Sequence, residues 1–310
     1  MISFSQLGKF DRLGNQLFQY AFLRTQAQKL GTSFYCPHWI GDEVFNLDDK
    51  ELRAERPSGI VRLYQEQFGN KEPILLDNSE IKGHFESEEY FDKTKAREWY
   101  SFKEEKIVRV KEKYKSVDFS NSAGIHLRLG DHLFKKRGPV LKINYYLKAI
   151  KKIGTCENLL VFSDSMDIAK EYFKNIPLKF IFIEDNNEWE DLYLMTRCRD
   201  FVCGVSTFSW WGAWLNNNQN KKITFPRPVF SRSYGGMKDK NFVPKEWTKI
   251  RALTPITDNR SVRFLMIFFN DLLGKIGIFI KKISPTLYKI LKIIFSGLEA
   301  RLIAAGKFRK

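Results

Sequence analysis

The stretch NLLVFSDSMDIAKEYF, residues 158–173, decides the fold class. An apolar run over 159–162 is followed by Ser163, Asp164 and Ser165, and then by apolar residues at helical spacing. A short apolar run is typical of a strand buried on both faces. Asp164 or Ser165 is the expected N-cap of the helix that follows. The stretch therefore predicts a strand, a polar turn and a helix.

The same order recurs C-terminal to this stretch. KFIFIED at 179–185 is a second apolar run that ends in carboxylates, and the helical pattern WEDLYLMTRC follows at 189–198. DFVCGV at 200–205 precedes the turn STFS, and WWGAWLNN after it has helical spacing. Alternation of buried strands with helices predicts an α/β fold with a parallel sheet.

Comparable patterns lie nearer the N-terminus. AGIHLRLGD at 123–131 alternates apolar and polar residues, which predicts a strand with one apolar and one polar face. ISFSQL at 2–7 predicts a first strand, and QLFQYAFLRTQAQKLG at 16–31 predicts a helix that ends at Gly31. A charged helix is expected over 102–115.

Polar residues follow the predicted strands where each strand ends. In a parallel α/β sheet, ligands bind outside the carboxyl ends of the strands. The residues expected at this edge are His126, Arg128, Asp131, Ser163, Asp164, Ser165, Ser206, Thr207 and Ser209. Taken singly, Arg128 can be an ion-pair partner of Asp131, His126 a core histidine, and STFS a helix cap. Together they predict a binding site.

The chemistry of this edge favours a diphosphate. Arg128 can bind a phosphate through two hydrogen bonds, and helix N-termini with nearby hydroxyl groups attract anions. The sequence contains neither G-x-x-x-x-G-K-[ST] nor G-x-G-x-x-G, which disfavours P-loop and Rossmann dinucleotide sites. It also lacks D-x-D, and its four histidines are scattered. We therefore expect the diphosphate to be bound without a metal. Trp210, Trp211 and Trp214 are expected in the core.

Composition is that of a globular protein with 310 residues, 43% hydrophobic and 28% charged. The formal charge of +16 suggests anionic partners. The four cysteines form no C-x-x-C pair, which is typical of reduced thiols in a cytosolic protein. The N-terminus does not have the pattern of a signal peptide.

Several of these segments resemble a known family. The motifs, in chain order, are RLGNQLFQYA (12–21), KGHFESEEYF (82–91), GIHLRLGD (124–131), VFSDS (161–165), EDLYLMTRC (190–198), STFSWWGAWL (206–215) and VPKEWTKI (243–250). They are similar to motifs of the bacterial α-1,2-fucosyltransferases of glycosyltransferase family 11. RLGNQ together with STFSWWGAWL is highly specific for that family.

The resemblance implies a GT-B-like fold, with two Rossmann-like domains that face each other across a cleft. Residues 1–118 would form the acceptor-side domain and residues 119–255 the domain that binds GDP-fucose. The implied reaction is inverting, metal-independent transfer of L-fucose to the 2-hydroxyl of a galactoside. GDP-fucose would be a substrate, and no cofactor is expected.

The resemblance also implies roles for individual residues. Arg128 would bind the diphosphate and stabilise the departing GDP. Gly14 and Asn15 would face the donor from the opposite domain. The nucleotide would be held by Asp164 and by residues of the two turns, namely Ser163, Ser165, Ser206, Thr207, Phe208 and Ser209. Asp131 is the first candidate for a general base and His126 the second; a third possibility is proton transfer to the diphosphate itself.

Three residues depart from the family pattern. Leu129 replaces a second arginine, Val205 replaces an asparagine, and Asp11 replaces a glycine. These changes leave open which linkage the enzyme forms and, less strongly, which donor sugar it uses. A transferase that uses another nucleotide sugar or forms another linkage is therefore an alternative.

Residues 256–310 lie beyond the resemblance and carry eleven Lys or Arg against three Asp or Glu. TLYKILKIIFSGLEARLI, at 286–303, has an apolar stripe with basic flanks. This pattern predicts an amphipathic helix on an anionic membrane surface, which would place the enzyme peripherally on the cytoplasmic face of the plasma membrane. Such a location suits a lipid-linked glycan acceptor, as in O-antigen synthesis. Packing on the protein's own domains or on a partner protein is the alternative.

Two other classes of protein compete with a transferase. A nucleic-acid-binding protein would account for the charge, but half of the excess lies beside the apolar stripe and no RNA-binding aromatic motif is present. We therefore expect no nucleic-acid partner. A catalytically silent sugar-binding protein would share the site and differ in releasing no GDP.

Overall fold

The computed structural model of the chain describes residues 1–56, 62–65, 77–130, 140–227 and 241–252. Within these ranges, every pair of neighbouring strands is parallel, which confirms the α/β prediction. Asp131 and the predicted membrane-binding tail lie outside the described residues.

The first sheet has four short strands: β1 (Ile2–Ser3), β2 (Phe34–Tyr35), β3 (Arg62–Gln65) and β4 (Ser79–Lys82). Their order is β2-β1-β4-β3. The helices of this half are α1 (Leu13–Leu30), α2 (Ile40–Val44), α3 (Lys93–Trp99) and α4 (Glu104–Lys113), with a 3-10 turn at Glu88–Tyr90. The predicted charged helix corresponds to α4.

The second sheet has six strands: β5 (Ser122–Leu127), β6 (Asn158–Ser163), β7 (Phe180–Phe182), β8 (Asp200–Val202), β9 (Ile223–Arg227) and β10 (Thr248–Arg251). Its helices are α5 (Ile143–Ile153), α6 (Met166–Phe173), α7 (Glu188–Arg197) and α8 (Thr207–Trp214), and a 3-10 turn at Phe119–Asn121 precedes β5. The strand order is β10-β9-β8-β5-β6-β7. The chain thus winds outward from β5 to β7 and then from β8 to β10 on the other side. This is the doubly wound order of a Rossmann fold, with its switch point between β5 and β8.

The ends of α1 follow from its sequence. Gly31 adopts a left-handed conformation with φ of 61°, and its N–H caps the carbonyls of Ala27 and Gln28. Glycine adopts this conformation without the steric cost that a Cβ atom brings. The predicted helix end is therefore confirmed, and the helix begins three residues earlier than the predicted start at residue 16.

Two predictions about strands need correction. The first strand covers Ile2–Ser3 only, because residues after Phe4 turn back on themselves, with Leu7 N donating to Phe4 O at 3.2 Å. The second concerns β5, for which one polar face was expected. All six of its residues are buried, because a central strand of a parallel sheet is covered on both faces.

Aromatic side chains join α1 to α8. The ring of Phe18 lies 4.6 Å from that of Trp210 and 4.8 Å from that of Trp211, measured between centroids. Both tryptophans are fully buried, and Trp210 Nε1 donates to the carbonyl of Phe242 at 2.7 Å. The prediction that the tryptophans pack in the core is confirmed. Because α1 and α8 follow strands of different sheets, this packing also fixes the two halves against each other.

Candidate active site

The carboxylate of Asp164 is the centre of the predicted site. It follows β6 and accepts hydrogen bonds at Oδ1 from Leu129 N at 2.9 Å and from Gly130 N at 3.0 Å. Its Oδ2 accepts from Nη1 of Arg128. Arg128 and the turn after it are thus held by the neighbouring strand end. Of the two expected N-caps of α6, Ser165 occupies that position without a side-chain cap, and Asp164 serves the adjacent turn instead.

These contacts set the charge of the carboxyl group. Burial by itself would raise the pKa of Asp164, but Arg128 and the two backbone N–H groups stabilise the carboxylate more strongly. The pKa of Asp164 is therefore held below its usual value. The group is ionised at neutral pH, and the Arg128–Asp164 contact is an ion pair.

Arg128 is more enclosed than an arginine on the lip of a site. Its side chain is 12% exposed and that of Asp164 is 15% exposed. Both side chains are therefore largely enclosed by the protein. The ion pair orients the planar guanidinium, which presents five N–H donors in a fixed geometry.

The second predicted turn, Ser206–Ser209, begins α8 after β8. Ser206 Oγ accepts from Phe208 N at 3.2 Å, as an N-cap does. Ser209 Oγ donates to Gly204 O at 3.2 Å and to Ser206 O at 3.1 Å. These hydroxyls shape the turn. Because β5 and β8 are neighbours at the switch point, Arg128 and the start of α8 lie at the same edge of the sheet.

Ser163 and Ser165 have a similar structural arrangement. Ser163 Oγ donates to Leu127 O at 3.0 Å and accepts from Ser165 N at 3.1 Å. The hydroxyl of Ser163 thus ties the end of β6 to the end of β5. The predicted role of both serines in holding a nucleotide stays a prediction.

Residues from the first half of the chain reach this edge, as predicted for Gly14 and Asn15. Asn15 Oδ1 accepts from Thr207 Oγ1 at 2.7 Å. A Cβ atom at Gly14 would lie 2.5 Å from Phe208 N and 2.7 Å from Thr207 Oγ1, which only glycine avoids. The start of α1 therefore touches the start of α8.

Arg12 is a site residue that sequence reasoning missed. Its Nη1 lies 3.7 Å from Asp164 Oδ2, and its side chain is 62% exposed. Two guanidinium groups, one from each half of the chain, thus approach the same carboxylate. The signal was present, because Arg12 opens the RLGNQ motif beside Gly14 and Asn15.

The departures at residues 129 and 205 lie in the core. Leu129 is fully buried and Val205 is 6% exposed. An apolar side chain at 129 packs inward, so the position supplies no second cation. Arg12 brings a second cation to the same place from the other half of the chain.

His126 lies beneath the surface of the site. It is 4% exposed, and its ring centroid is 5.8 Å from that of Phe208. A Cβ atom at Gly204 would lie 2.7 Å from the carbonyl oxygen of His126. The backbone that follows β8 therefore passes close to β5. In this structure His126 supports the turn that carries Phe208. Its predicted role as a base stays a prediction, as does that of Asp131.

Asp11 and His84 form a further polar pair beside Asn15. His84 Nε2 lies 3.5 Å from Asp11 Oδ1, and Asn15 Nδ2 donates to the same oxygen at 3.3 Å. The contact with His84 is the main reason that the pKa of Asp11 lies below its usual value; burial opposes it, and the amides of Asn15 and Gln19 add to it. Asp11 is therefore ionised at neutral pH.

Over the described ranges, no group of three or more His, Cys, Asp or Glu is arranged to hold a metal ion. In the same ranges, no helix combines the length and apolar character needed to cross a membrane.

Comparison with known proteins identifies the family. Residues 85–251, more than half of the chain, match the sequence model of glycosyl transferase family 11. The chain is 35% identical to the O-antigen biosynthesis glycosyltransferase WbnK of Escherichia coli, over 38% of this chain and 43% of that protein. It is 28% identical to an alpha-1,2-colitosyltransferase of Escherichia coli, over 77% of this chain and 96% of that protein.

Other matches are more distant. A galactoside alpha-(1,2)-fucosyltransferase 1 of Lagothrix lagotricha is 27% identical over 43% of this chain and 39% of that protein. Among solved structures, the fucosyltransferase NodZ from Bradyrhizobium matches with 12% identity and a TM-score of 0.48, covering 68% of this chain and 91% of that chain. The family match confirms the resemblance read from the motifs. The chain belongs to glycosyl transferase family 11 and is a glycosyltransferase.

Proposed function

We propose that this protein transfers L-fucose from GDP-fucose to the 2-hydroxyl of a galactoside, with inversion and without a metal ion, in the synthesis of O-antigen or another surface glycan. The observation that carries the proposal is the convergence at the switch point of the second sheet. Arg128, the start of α8 and Arg12 meet there, where doubly wound sheets bind nucleotides. Family membership supports the reaction class.

The charges of the site suit a sugar diphosphate. Breaking the bond between the sugar and the phosphate builds negative charge on the departing diphosphate. Preorganised cations and N–H dipoles that meet this charge lower the barrier. Arg128 is preorganised by Asp164, and the exposed Arg12 is able to approach the diphosphate from the other half. Thr207 and Asn15 connect the two sides.

The two halves would correspond to the lobes of a GT-B-like enzyme. In this arrangement the second sheet binds the GDP moiety, with Asp164 and the Ser206–Ser209 turn beside it. The half that carries α1 faces the sugar and the acceptor. Support comes from the two parallel sheets and from the contacts of α1 with α8.

Colitose is a second candidate for the transferred sugar. The alignment with the alpha-1,2-colitosyltransferase covers almost the whole of that protein. Colitose is fucose without the 3-hydroxyl group. A site that hydrogen-bonds a substrate hydroxyl rejects an analogue that lacks it by a large factor, whereas an apolar site discriminates weakly. Competition between the two donors therefore separates the candidates.

We also propose that the acceptor is lipid-linked and that residues 256–310 hold the enzyme on an anionic membrane surface. The proposal rests on the apolar stripe and the basic flanks of that segment. It places the reaction on the cytoplasmic face of the plasma membrane.

The proposed function is tested by a donor screen with the full-length protein. Thermal shift across GDP-, UDP- and CMP-sugars is expected to show binding of GDP-fucose or GDP-colitose and loss of that binding in Arg128→Ala. Release of GDP should require a galactoside and should fail with a 2-deoxygalactoside. Turnover should persist in EDTA. A preference for UDP- or CMP-sugars, or complete loss of turnover in EDTA, would overturn the proposal.

A further inference from the structure

The pair formed by Asp11 and His84 lies at one edge of the first sheet. Asp11 is in the turn between β1 and α1, and His84 follows β4 by two residues. Because β1 and β4 are neighbouring parallel strands, both residues lie beyond the carboxyl ends of adjacent strands. The start of α1, which contacts the Ser206–Ser209 turn, lies at this same edge.

Buried amides of α1 fix the position of Asp11. Gln19 Nε2 donates to Asp11 Oδ2 at 2.7 Å and to Gly83 O at 3.1 Å, so it ties Asp11 to the loop that carries His84. Gln16 Nε2 donates to the backbone carbonyl of Asp11 at 2.5 Å. Gln16 and Gln19 are 6% and 3% exposed. The carboxylate is therefore held by a rigid element, as an orienting group requires.

The pair also connects to the proposed donor site. Asn15 donates from Nδ2 to Asp11 and accepts at Oδ1 from Thr207. A single side chain thus separates Asp11 from the start of α8. The pair remains accessible, since the side chain of His84 is 43% exposed and that of Asp11 is 28% exposed. A ligand that contacts the start of α8 from the α1 side can reach the imidazole.

Charged groups from other elements are also close to this pair. Arg12, next to Asp11 in the chain, lies 3.7 Å from Asp164 at the end of β6, and Asp164 pairs with Arg128 after β5. Burial raises the pKa of Glu188 at the start of α7, and the charge of Arg12 partly opposes that rise. These charged groups lie on the side of the site where the diphosphate is proposed to bind. Asp11 itself has His84 as a charged neighbour, whereas Asn15 and Gln19, which also contact it, are neutral.

We propose that His84 is the general base that takes the proton of the acceptor hydroxyl, with Asp11 as its orienting residue; the inference rests on the proposed function. Nε2–H of the neutral imidazole is donated to Asp11, and Nδ1 accepts the acceptor proton. The acceptor oxygen forms a bond to C1 of the sugar as the bond from C1 to the diphosphate oxygen breaks. The electron pair of that bond leaves with GDP, and the proton on His84 then passes to water.

Three observations support this assignment over a purely structural pair. Consecutive contacts connect the base to the start of α8: His84 to Asp11 at 3.5 Å, Asp11 to Asn15 at 3.3 Å, and Asn15 to Thr207 at 2.7 Å. The imidazole is exposed, whereas His126 is buried. A carboxylate behind an imidazole is the arrangement that fixes its tautomer and stabilises the imidazolium that forms.

The test compares His84→Gln with a matched control, His38→Gln. His38 is in the same half of the chain, is 69% exposed and also faces a carboxylate, with Nδ1 3.0 Å from Asp42 Oδ2. A positioned base contributes about 100-fold or more to the rate. His84→Gln is expected to lower kcat for transfer by about that factor. It should also remove the acid limb of the pH profile, while GDP binding by calorimetry stays unchanged. His38→Gln should change neither quantity.

Asp11→Asn provides a second variant, because it keeps the shape of the side chain. It is expected to lower kcat with little change in KM for the donor and to move the acid limb of the pH profile. Added imidazole should restore part of the activity of His84→Ala and none of that of Asp11→Asn. A merely structural pair would show neither the displaced limb nor the rescue.

The outcomes separate this inference from the proposed function. If the wild-type protein binds no GDP-sugar, the proposed function fails first. If it binds and transfers, and His84→Gln retains wild-type kcat and its acid limb, the inference is overturned while the proposed function stands. Loss of GDP binding in both His84→Gln and Asp11→Asn would likewise overturn it, because the pair would then be structural.

Discussion

At the scale of the residue, the ion pair of Arg128 with Asp164 is the central contact of the candidate site. The motif HLRLGD places a guanidinium after one strand, and FSDS places a carboxylate after the next. Sequence reasoning assigned Arg128 to the diphosphate and considered Asp131 as its partner. The structure shows Asp164 as a partner of Arg128, because β5 and β6 are neighbours and end in register, with Leu127 opposite Ser163. Asp131 lies outside the described residues, so its pairing with Arg128 stays a prediction.

Arg128→Ala is expected to lower both activity and stability. One preorganised donor at a developing charge is worth about 3 kcal/mol, so transfer should fall by about 100-fold. The free energy of unfolding should fall by about 2 kcal/mol, because the enclosed Asp164 loses its charged partner. Single-turnover kinetics and urea denaturation measure the two effects.

Arg12→Ala is the matched control for that experiment. Its side chain is 62% exposed, so its removal should weaken donor binding with little loss of stability. Equal loss of stability in both variants, or wild-type transfer by Arg128→Ala, would contradict the assignment.

Asp164 should also make stability depend on pH. The pKa of its carboxyl group is lowered by folding, so its contribution to stability is present above the ordinary value for aspartate. That contribution is lost as the pH falls through the lowered pKa of the folded state. Asp164→Asn should therefore destabilise the protein at pH 7 by about 2 kcal/mol and progressively less toward pH 3. Urea midpoints across this range measure the difference, and a constant difference would count against the ion pair.

At the scale of the element, the joint between α1 and α8 aligns the two halves. Both helices were expected from their spacing and caps, and both are present with ends close to those expected. Their contact was not predictable from periodicity or caps, because those patterns involve only neighbouring residues. Gly14 and Thr207 are separated by almost two hundred positions in the chain. The RLGNQ and STFS motifs were assigned to one site through the resemblance alone. The structure shows the contact itself.

Gly14→Ala should disturb this joint. The added methyl group would lie 2.5 Å from Phe208 N, a backbone atom that has little room to move. Overpacking of this kind costs about 1–3 kcal/mol, and the displaced α8 should bind GDP-fucose more weakly. Thermal unfolding and calorimetry with GDP-fucose check the two effects.

Gly31→Ala gives the comparison for that variant. It lies in the left-handed region with no atom within 4 Å of an added Cβ, so it should cost about 1 kcal/mol of stability with donor affinity unchanged. If Gly14→Ala also left donor affinity unchanged, the joint would have no part in binding.

At the scale of the whole molecule, the net charge is shared between residues 1–255 and the C-terminal tail, residues 256–310. Residues 256–310 hold a net charge of +8, half of the total. The described residues account for two parallel sheets and the site between them. The tail lies outside these residues, and its role as a membrane-binding helix remains our proposal from its sequence.

Deletion of residues 256–310 is expected to move the protein from the membrane to the soluble fraction, with activity on soluble acceptors retained. An amphipathic stripe with basic flanks binds anionic membranes through both apolar burial and charge, and the deletion removes both. Fractionation followed by a transfer assay with a soluble galactoside gives the result. Sedimentation of the truncated protein with membranes would refute the proposal.

The sequence by itself determined the parallel α/β class, the helix boundaries near Gly31 and Ser206, the buried tryptophans and the polar edge that includes Arg128. These follow from periodicity, caps and strand ends, all of which act over a few neighbouring residues. Only the tertiary structure decided that Asp164 pairs with Arg128, that β5 is buried on both faces, that Arg12 approaches Asp164, and that the Asp11–His84 pair lies beside Asn15. The reason is physical: these features depend on which strands and helices pack together, and that packing joins residues that are far apart in the chain.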